Sequence, residues 1–192
     1  MKIDLTYALT KKKIEEWASN ISDRDKALAS TGHLGTHFDV MGKEFPLDFT
    51  ESCGIVFDVS NVGTGDIEVS DVALDEVQVD DFVLLHTGVA DKYDWGSEGY
   101  NTHFPQLSWN LIEALTDKKI RMIGVDMRGI RKGDEHTKAD NFCAQRGVFV
   151  VENLVNLDKL FEKSKGKNLI IHIYPVNIRG FSGLPSRVVA ES

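Results

Sequence analysis

Short apolar runs alternate with amphipathic stretches through the second half of the chain. The apolar runs are all nearly unbroken, and they are FVLLHTG (82–88), IRMIGVD (120–126), VFVVE (148–152) and LIIHIYPV (169–176). Helical spacing recurs between them in the face of Leu107, Leu111, Ile112 and Leu115, in the segment from about Lys138 to Arg146, and in the stripe of Leu154, Leu157, Leu160 and Phe161. Buried strands joined by crossover helices produce this rhythm, so it predicts parallel strands.

The helix over about 138–146 has a signal at each end. Thr137 stands just before it, and threonine is a favourable N-cap because its hydroxyl accepts a hydrogen bond from a free backbone N–H. Gly147 follows it, and glycine readily takes the left-handed conformation that ends many helices. The two signals place this helix directly ahead of VFVVE.

The first half of the chain has a different pattern. A helical stripe is formed by Ile14, Trp17, Ala18 and Ile21. GIVFDVS (54–60) follows, and further strand-like pieces are separated by Gly63, Gly65 and Asp71. These pieces predict antiparallel strands beside the α/β unit. The fold class is therefore predicted to be α/β with a mixed sheet, as a single domain over residues 1–192.

Composition limits the possible partners. The 192 residues are 42% hydrophobic, which is enough for a sizeable core, and the net charge of -8 opposes binding to nucleic acid or anionic lipid. No apolar stretch approaches the roughly 20 residues of a membrane span, and Asp4 interrupts the start of the chain where a secretory signal needs apolar residues. Cys53 and Cys143 form no paired motif. We expect a cytoplasmic protein.

The segment HLGTHFDV (33–40) is rich in possible metal ligands. In a helix, Asp39 would lie about 160° around the axis from His37, so the two could not converge with His33. In an extended strand the three residues face one side, but His33 and His37 are then roughly 13 Å apart. A bend at Gly35-Thr36 would bring them together. The spacing therefore fits a kinked strand or loop that binds Zn²⁺ or Mn²⁺, while polar residues of a surface loop remain an equal alternative from this motif alone.

Five motifs in order resemble the cyclase family of metal-dependent hydrolases, which includes bacterial kynurenine formamidase and isatin hydrolase. They are His33-Leu34-Gly35-Thr36-His37-Phe38-Asp39, Leu85-His86-Thr87-Gly88, Ile123-Gly124-Val125-Asp126, Val151-Glu152-Asn153-Leu154 and the terminal Gly180-Phe181-Ser182-Gly183-Leu184-Pro185-Ser186-Arg187. The resemblance spans about residues 33–190. Five motifs in the right order are far more specific than any one of them.

The resemblance implies a swivelling β/β/α fold, a homodimer or larger homo-oligomer, and a metal centre. It implies that His33, His37 and Asp39 hold one divalent ion, with Asp39 able to bridge to a second, and that Glu152 is a ligand of the second. Independently, Asp126 and Glu152 fall at the carboxyl ends of predicted parallel strands, where open α/β sheets place their ligands. A helix-start or loop carboxylate is the competing interpretation of each.

Three positions depart from the family pattern. Twelve residues before its Glu-Asn-Leu the family usually has a histidine ligand, and here that place is Asp140. The family's first motif continues to a proline and to a histidine that moves protons, and here those places are Met41 and Lys43. Asp140 is therefore a candidate ligand, and Lys43 or Glu44 a candidate catalytic proton carrier. Solvent-facing side chains are the alternative at all three positions.

The activity implied is hydrolysis of a small amide-type C–N bond, in an arylformamide or a cyclic amide, by metal-activated water. With oxygen in place of nitrogen at position 140, we expect one tightly held Zn²⁺ or Mn²⁺ and a weaker second ion. The main alternative is a non-catalytic member that binds metal or a small ligand and has lost the usual proton-carrying histidine. A cupin-like iron oxygenase is less favoured, because the later strands alternate with helices.

Overall fold

The computed structural model describes residues 1–20 and 22–192, so Ile21 of the predicted α1 stripe lies outside the described residues. The α-helices are α1 (Lys11–Asn20), α2 (Asp23–Ser30), α3 (Val89–Lys92), α4 (Glu98–Thr102), α5 (Trp109–Asp117), α6 (His136–Gln145) and α7 (Leu157–Ser164). The strands are β1 (Lys2–Asp4), β2 (His37–Asp39), β3 (Glu51–Asp58), β4 (Asp66–Ile67), β5 (Phe82–His86), β6 (Gln106–Leu107), β7 (Met122–Val125), β8 (Phe149–Glu152), β9 (Leu169–Pro175) and β10 (Gly183–Glu191).

The main sheet is mixed and closes into a barrel. Its strand order is β1-β10-β2-β8-β7-β5-β3-β9, and β10 pairs with β9 as well, which closes a ring from β10 to β9 with β1 paired to β10 outside it. The pairs β3–β5, β5–β7 and β7–β8 are parallel, whereas β2, β9 and β10 pair antiparallel with their neighbours. The predicted class, α/β with a mixed sheet, is confirmed.

Two details of the predicted sheet are wrong. GIVFDVS lies in β3, which joins the parallel unit beside β5, although its other neighbour β9 is antiparallel to it. LIIHIYPV lies in β9 and is antiparallel, not parallel. Its side chains alternate between buried and exposed, as in a strand with one face in the core. The alternation distinguishes β9 from the continuously buried β5, β7 and β8.

Alternate residues of the same strands supply two separate cores. Val83 and Leu85 of β5 join a cluster with residues of α5 and α6, and Phe82 and Leu84 join a cluster with residues of α7, β9 and β10. This follows from the two-residue period of a strand, which sends neighbouring side chains to opposite faces. Because β5 and its neighbours are packed on both faces, their carboxyl ends are held rigidly.

The helix boundaries differ from those predicted at their amino ends. α6 begins at His136, directly after a 3₁₀ turn over Gly133–Glu135, so Thr137 is inside the helix and is not its N-cap. α5 begins at Trp109, and its N-cap is Ser108, whose Oγ accepts a hydrogen bond from Leu111 N. No helix within the described ranges has both the length and the apolar character needed to cross a membrane.

Candidate metal centre

The bend predicted in the histidine-rich segment is present at Gly35. Its φ of +60° is left-handed, and a Cβ there would stand 2.8 Å from Leu9 Cδ1, so both conformation and packing require glycine. β2 begins two residues later, and its His37 and Asp39 face the side of the sheet opposite to Phe38. The bend carries His33 back beside them.

The three side chains meet at a small centre. His33 Nδ1 lies 3.1 Å from His37 Nε2 and 3.0 Å from Asp39 Oδ1, and His37 Nε2 lies 3.6 Å from the same oxygen. Ligands of a tetrahedral zinc ion, each about 2.1 Å from it, lie about 3.4 Å from one another. The spacing of these three donor atoms therefore fits a single divalent ion.

Hydrogen bonds hold the outer nitrogen of each ring. His33 Nε2 lies 2.9 Å from Ser182 Oγ, and His37 Nδ1 donates to Gly35 O at 2.8 Å. Gly183 makes room for the His33 ring, since a Cβ there would come within 2.9 Å of its Cδ2. Such contacts fix ring orientation and leave the inner nitrogens as electron-pair donors. The terminal Gly-rich motif thus serves the first histidine of the first motif.

A second group adjoins the first across the pairing of β2 with β8. In that pairing His37 stands directly opposite Glu152, and His37 Nε2 is 3.5 Å from Glu152 Oε2. From α6, His136 Nε2 lies 3.4 Å from Asp140 Oδ2 and 3.4 Å from Glu152 Oε1. Imidazoles and carboxylates therefore alternate through one continuous cluster.

The cluster contains buried carboxylate oxygens without donors. Both oxygens of Asp39, Oδ1 of Asp140 and Oε1 of Glu152 are buried and accept no hydrogen bond. Uncompensated buried charge is strongly unfavourable, so such oxygens call for a cation. By contrast, Asp126, another fully buried acid, accepts bonds from Thr87 N, Thr87 Oγ1 and Gly88 N. The donor set and its unpaired oxygens fit divalent metal.

Mutual charge effects shift the pKa values of these groups. Burial alone would lower the pKa of His37, but the Asp39 and Glu152 carboxylates outweigh it and raise that pKa to about 9. Burial, reinforced by the charge of Asp39, raises the pKa values of Asp140 and Glu152 well above their ordinary range. Neighbouring buried carboxylates resist ionisation because their charges repel. Their ionised state becomes favourable once a cation binds between them.

The structure brings together all five predicted ligands: His33, His37, Asp39, Asp140 and Glu152. It adds His136, which the sequence reasoning missed because the helix was taken to start at about Lys138. The available signal was the four-residue spacing from His136 to Asp140, which puts both on one helix face. Lys43 and Glu44 are exposed and do not line the cavity beside the cluster, so their proton-transfer role stays a prediction.

The remaining motifs brace this edge of the sheet. Asn153, next to Glu152, donates from Nδ2 to Gly35 O at 2.9 Å, and its carbonyl accepts from Thr36 Oγ1 at 2.7 Å. Its Oδ1 accepts from the buried Tyr100 hydroxyl at 2.7 Å. Asp126, whose role the sequence left open, anchors the Thr87-Gly88 turn and is not among the ligands. The motif at residues 151–154 thus positions the first histidine motif, and the motifs at residues 85–88 and 123–126 bind each other through Asp126.

A cavity of about 1000 Å³ opens in front of the cluster. Part of its wall is aromatic: Trp95 packs 5.4 Å from Trp17, and Tyr7 extends that stack behind Trp95 with ring centroids 5.7 Å apart. Phe104 also lines the cavity, whereas Phe38, on the first histidine motif, is in the core. The loop after β7 lines the cavity with three basic side chains, Arg128, Arg131 and Lys132. The space suits a small aromatic molecule.

The fold is shared with solved metal-dependent hydrolases. Isatin hydrolase A from Labrenzia aggregata, bound to benzyl benzoate, is 22% identical over 81% of this chain and 72% of its own, with a TM-score of 0.69. A potential metal-dependent hydrolase with cyclase activity is 21% identical over 99% and 96%, with a TM-score of 0.70. A predicted metal-dependent hydrolase from Bacillus stearothermophilus is 20% identical over 99% and 97%, with a TM-score of 0.67.

No curated protein matches the chain at a significant level. The sequence model of the Cyclase family matches residues 3–131, about two thirds of the chain and a stretch that includes three of the five motifs. The matched range contains the bent histidine segment, and it also contains β5 and β7, which Thr87 and Asp126 directly follow. This chain belongs to the Cyclase family.

Proposed function

We propose that this protein is a metal-dependent hydrolase that cleaves a small amide-type C–N bond, in a cyclic amide or an arylformamide. The observation that carries the proposal is the cluster of three imidazoles and three carboxylates with unpaired buried oxygens, opening into a cavity. Family membership and the isatin hydrolases among the similar structures support the same reaction class.

The division of work among the side chains follows from their positions. His33, His37 and Asp39 would hold one Zn²⁺ or Mn²⁺, and Asp140 and Glu152 would contribute to a second. A divalent ion supplies water of lowered pKa and polarises a carbonyl oxygen. The Gly35 carbonyl can only accept a hydrogen bond, so it keeps His37 in its ligating tautomer, and Ser182 orients the ring of His33.

The cavity wall supports a substrate with an aromatic ring. Trp17 and Trp95 offer flat faces against which a ring can pack. Arg128, held by a 2.9 Å hydrogen bond from Nη1 to Asn101 Oδ1, faces the same space from the loop after β7. Amide hydrolysis produces a carboxylate, which a guanidinium binds favourably. The wall therefore suits both an aryl amide and its acidic product.

A non-catalytic, metal- or ligand-binding protein is the second candidate. The exposed position of Lys43, where the family has its proton-carrying histidine, favours it. The cytoplasmic location and the homodimeric or larger assembly also stay predictions, and both candidates are compatible with them.

The decisive assay follows turnover of isatin, N-formylkynurenine, other cyclic amides and lactones. Chelator-treated protein should be inactive and should regain activity with Mn²⁺ or Zn²⁺, while Asp39→Asn should lose at least about 100-fold in kcat/KM under the same conditions. His103→Ala, at an exposed position, is the control that keeps activity. Metal-loaded protein that turns over none of these compounds would favour the non-catalytic candidate.

A further inference from the structure

The first residue of α6, His136, is turned toward the carboxylates of the cluster. Its Nε2 is 3.4 Å from both Asp140 Oδ2 and Glu152 Oε1, and its side chain is 28% exposed. Asp140 stands where the cyclase resemblance has a histidine ligand, and His136 precedes it by one helical turn on the same face of α6. His136 thus places an imidazole one helical turn from the position where the family has its histidine.

These spacings are longer than those of good hydrogen bonds and match those of ligands around one ion. At 3.4 Å, each imidazole–carboxylate distance exceeds the 2.7–3.2 Å usual for such a bond. His86 Nε2 and Asp91 Oδ2, by comparison, are 2.8 Å apart. Oxygens of Asp140 and Glu152 are buried here without donors. Atoms about 3.4 Å apart around a common point have the spacing of metal ligands.

Gly129 holds the His136 ring in this place. A Cβ on Gly129 would lie 2.4 Å from His136 Cε1, 2.5 Å from its Nδ1 and 3.1 Å from Glu152 Oε1. Its φ of +100° is also one that side-chain-bearing residues rarely adopt. The backbone of the loop after β7 thus packs directly on the imidazole and confines it against Glu152.

We infer that His136 Nε2 is a nitrogen ligand of the second divalent ion, that Asp140 and Glu152 complete that position with oxygens, and that Gly129 sets the ring. This inference rests on the proposed metal centre. It revises the second metal position, for which the sequence alone predicts carboxylate ligands. With one imidazole present, the second position favours Mn²⁺ or Zn²⁺ over Mg²⁺. The second position is also the more exposed one, because the His136 side chain is 28% exposed, whereas those of His33 and His37 are 14% and 4% exposed.

Calorimetric titration of metal-free protein with Mn²⁺ tests the inference without any assay of activity. The wild type should bind two ions in unequal steps. His136→Ala should keep the tight step and weaken the second at least about 10-fold, and Gly129→Ala should weaken the same step with His136 intact. His103→Ala, an exposed histidine outside the cluster, should behave as wild type.

A second variant and a spectrum complete the test. His136→Gln retains most of the side-chain volume and should also lose the second step, and the electron paramagnetic signal of coupled Mn²⁺ pairs should disappear in both variants. If both variants bind two ions as the wild type does, the inference is overturned and the proposed function stands. If the wild type binds no ion, the proposed function itself is overturned, and this inference with it.

Discussion

His33 and His37 are held at the centre by contacts on their outer nitrogens, which leaves the inner pair only 3.1 Å apart. At this distance the lone pairs of two imidazole nitrogens repel each other unless a proton or a metal ion lies between them. Asp39, with a fully buried side chain, adds to the same point a carboxylate whose oxygens accept no hydrogen bond. The three side chains are therefore arranged to bind an ion, and this arrangement does not depend on which substrate the protein uses.

Removal of both imidazoles should abolish the tight position. In a His33→Ala, His37→Ala variant, Asp39 keeps its charge but has no nitrogen partner, so we expect the purified protein to lose its stoichiometric transition metal. Elemental analysis by mass spectrometry measures this directly, with His103→Ala as the matched control. Equal metal content in the variant and the wild type would refute this assignment.

Substitution of Lys43 tests its predicted role as a proton carrier. If it carries protons in catalysis, activity should fall sharply in Lys43→Met and its pH profile should change. Glu44→Gln separates the neighbouring candidate. An active Lys43→Met enzyme with an unchanged pH profile would remove the lysine from the mechanism, and its exposed position outside the cavity lining already makes the metal-held water the simpler base.

At the scale of elements, the ends of β5 and β7 are tied together by Asp126. Its carboxylate accepts three hydrogen bonds from Thr87 and Gly88, and all of these atoms are buried. Asp126→Ala leaves three donors unsatisfied, so we expect a loss of about 2–4 kcal/mol in the free energy of unfolding, measured by denaturant titration. Asp126→Asn, which retains one acceptor oxygen, should lose less. A change of Asp126→Ala within about 0.5 kcal/mol of wild type would contradict the role.

The ends of β3, β5 and α3 meet at His86, which gives a pH-dependent contact. Its Nδ1 lies 3.1 Å from Asp58 Oδ1 and its Nε2 lies 2.8 Å from Asp91 Oδ2. Burial lowers the pKa of His86, but the hydrogen bond to Asp91 and the charges of Asp126, Asp91 and Asp58 outweigh it and raise the pKa above its usual value.

A raised histidine pKa stabilises the fold below the unfolded pKa of about 6.5, and the contribution is lost as pH rises through the folded pKa. Compared with His86→Gln, the wild type should therefore show its largest stability advantage at pH 5–6 and a smaller one at pH 9. His103→Gln controls for the general effect of pH. An advantage that grows from pH 6 to pH 9 has the wrong sign for this contact.

At the scale of the whole molecule, the sequence predicted the parallel unit well and the closure of the barrel poorly. β5, β7 and β8 are continuously buried, so their apolar runs are clear in the sequence. β10 carries Pro185 and the exposed Arg187, a pattern unlike that of a central strand, yet it pairs with β1, β2 and β9. Such pairing depends on tertiary contacts across the chain.

The centre could be predicted where its residues are close in sequence. The bend at Gly35-Thr36 follows from the spacing of His33, His37 and Asp39. The place of Glu152 at the end of a strand agrees with its role, but the family resemblance was needed to prefer it as a ligand. His136 was missed because a shift of two residues in a helix boundary is within the ordinary ambiguity of capping signals. The contacts of Ser182 and Asn153 depend on segments that meet only in the folded barrel.

Anomalous diffraction from crystals grown with Mn²⁺ or Zn²⁺ tests the central claim most directly. Data collected on both sides of the metal edge should give a strong peak about 2.0–2.2 Å from His33 Nδ1, His37 Nε2 and Asp39. A second, weaker peak should lie among His136, Asp140 and Glu152. If saturating metal gives no anomalous peak at this cluster, the protein does not hold a catalytic ion there, and the account of a metal-dependent hydrolase is contradicted.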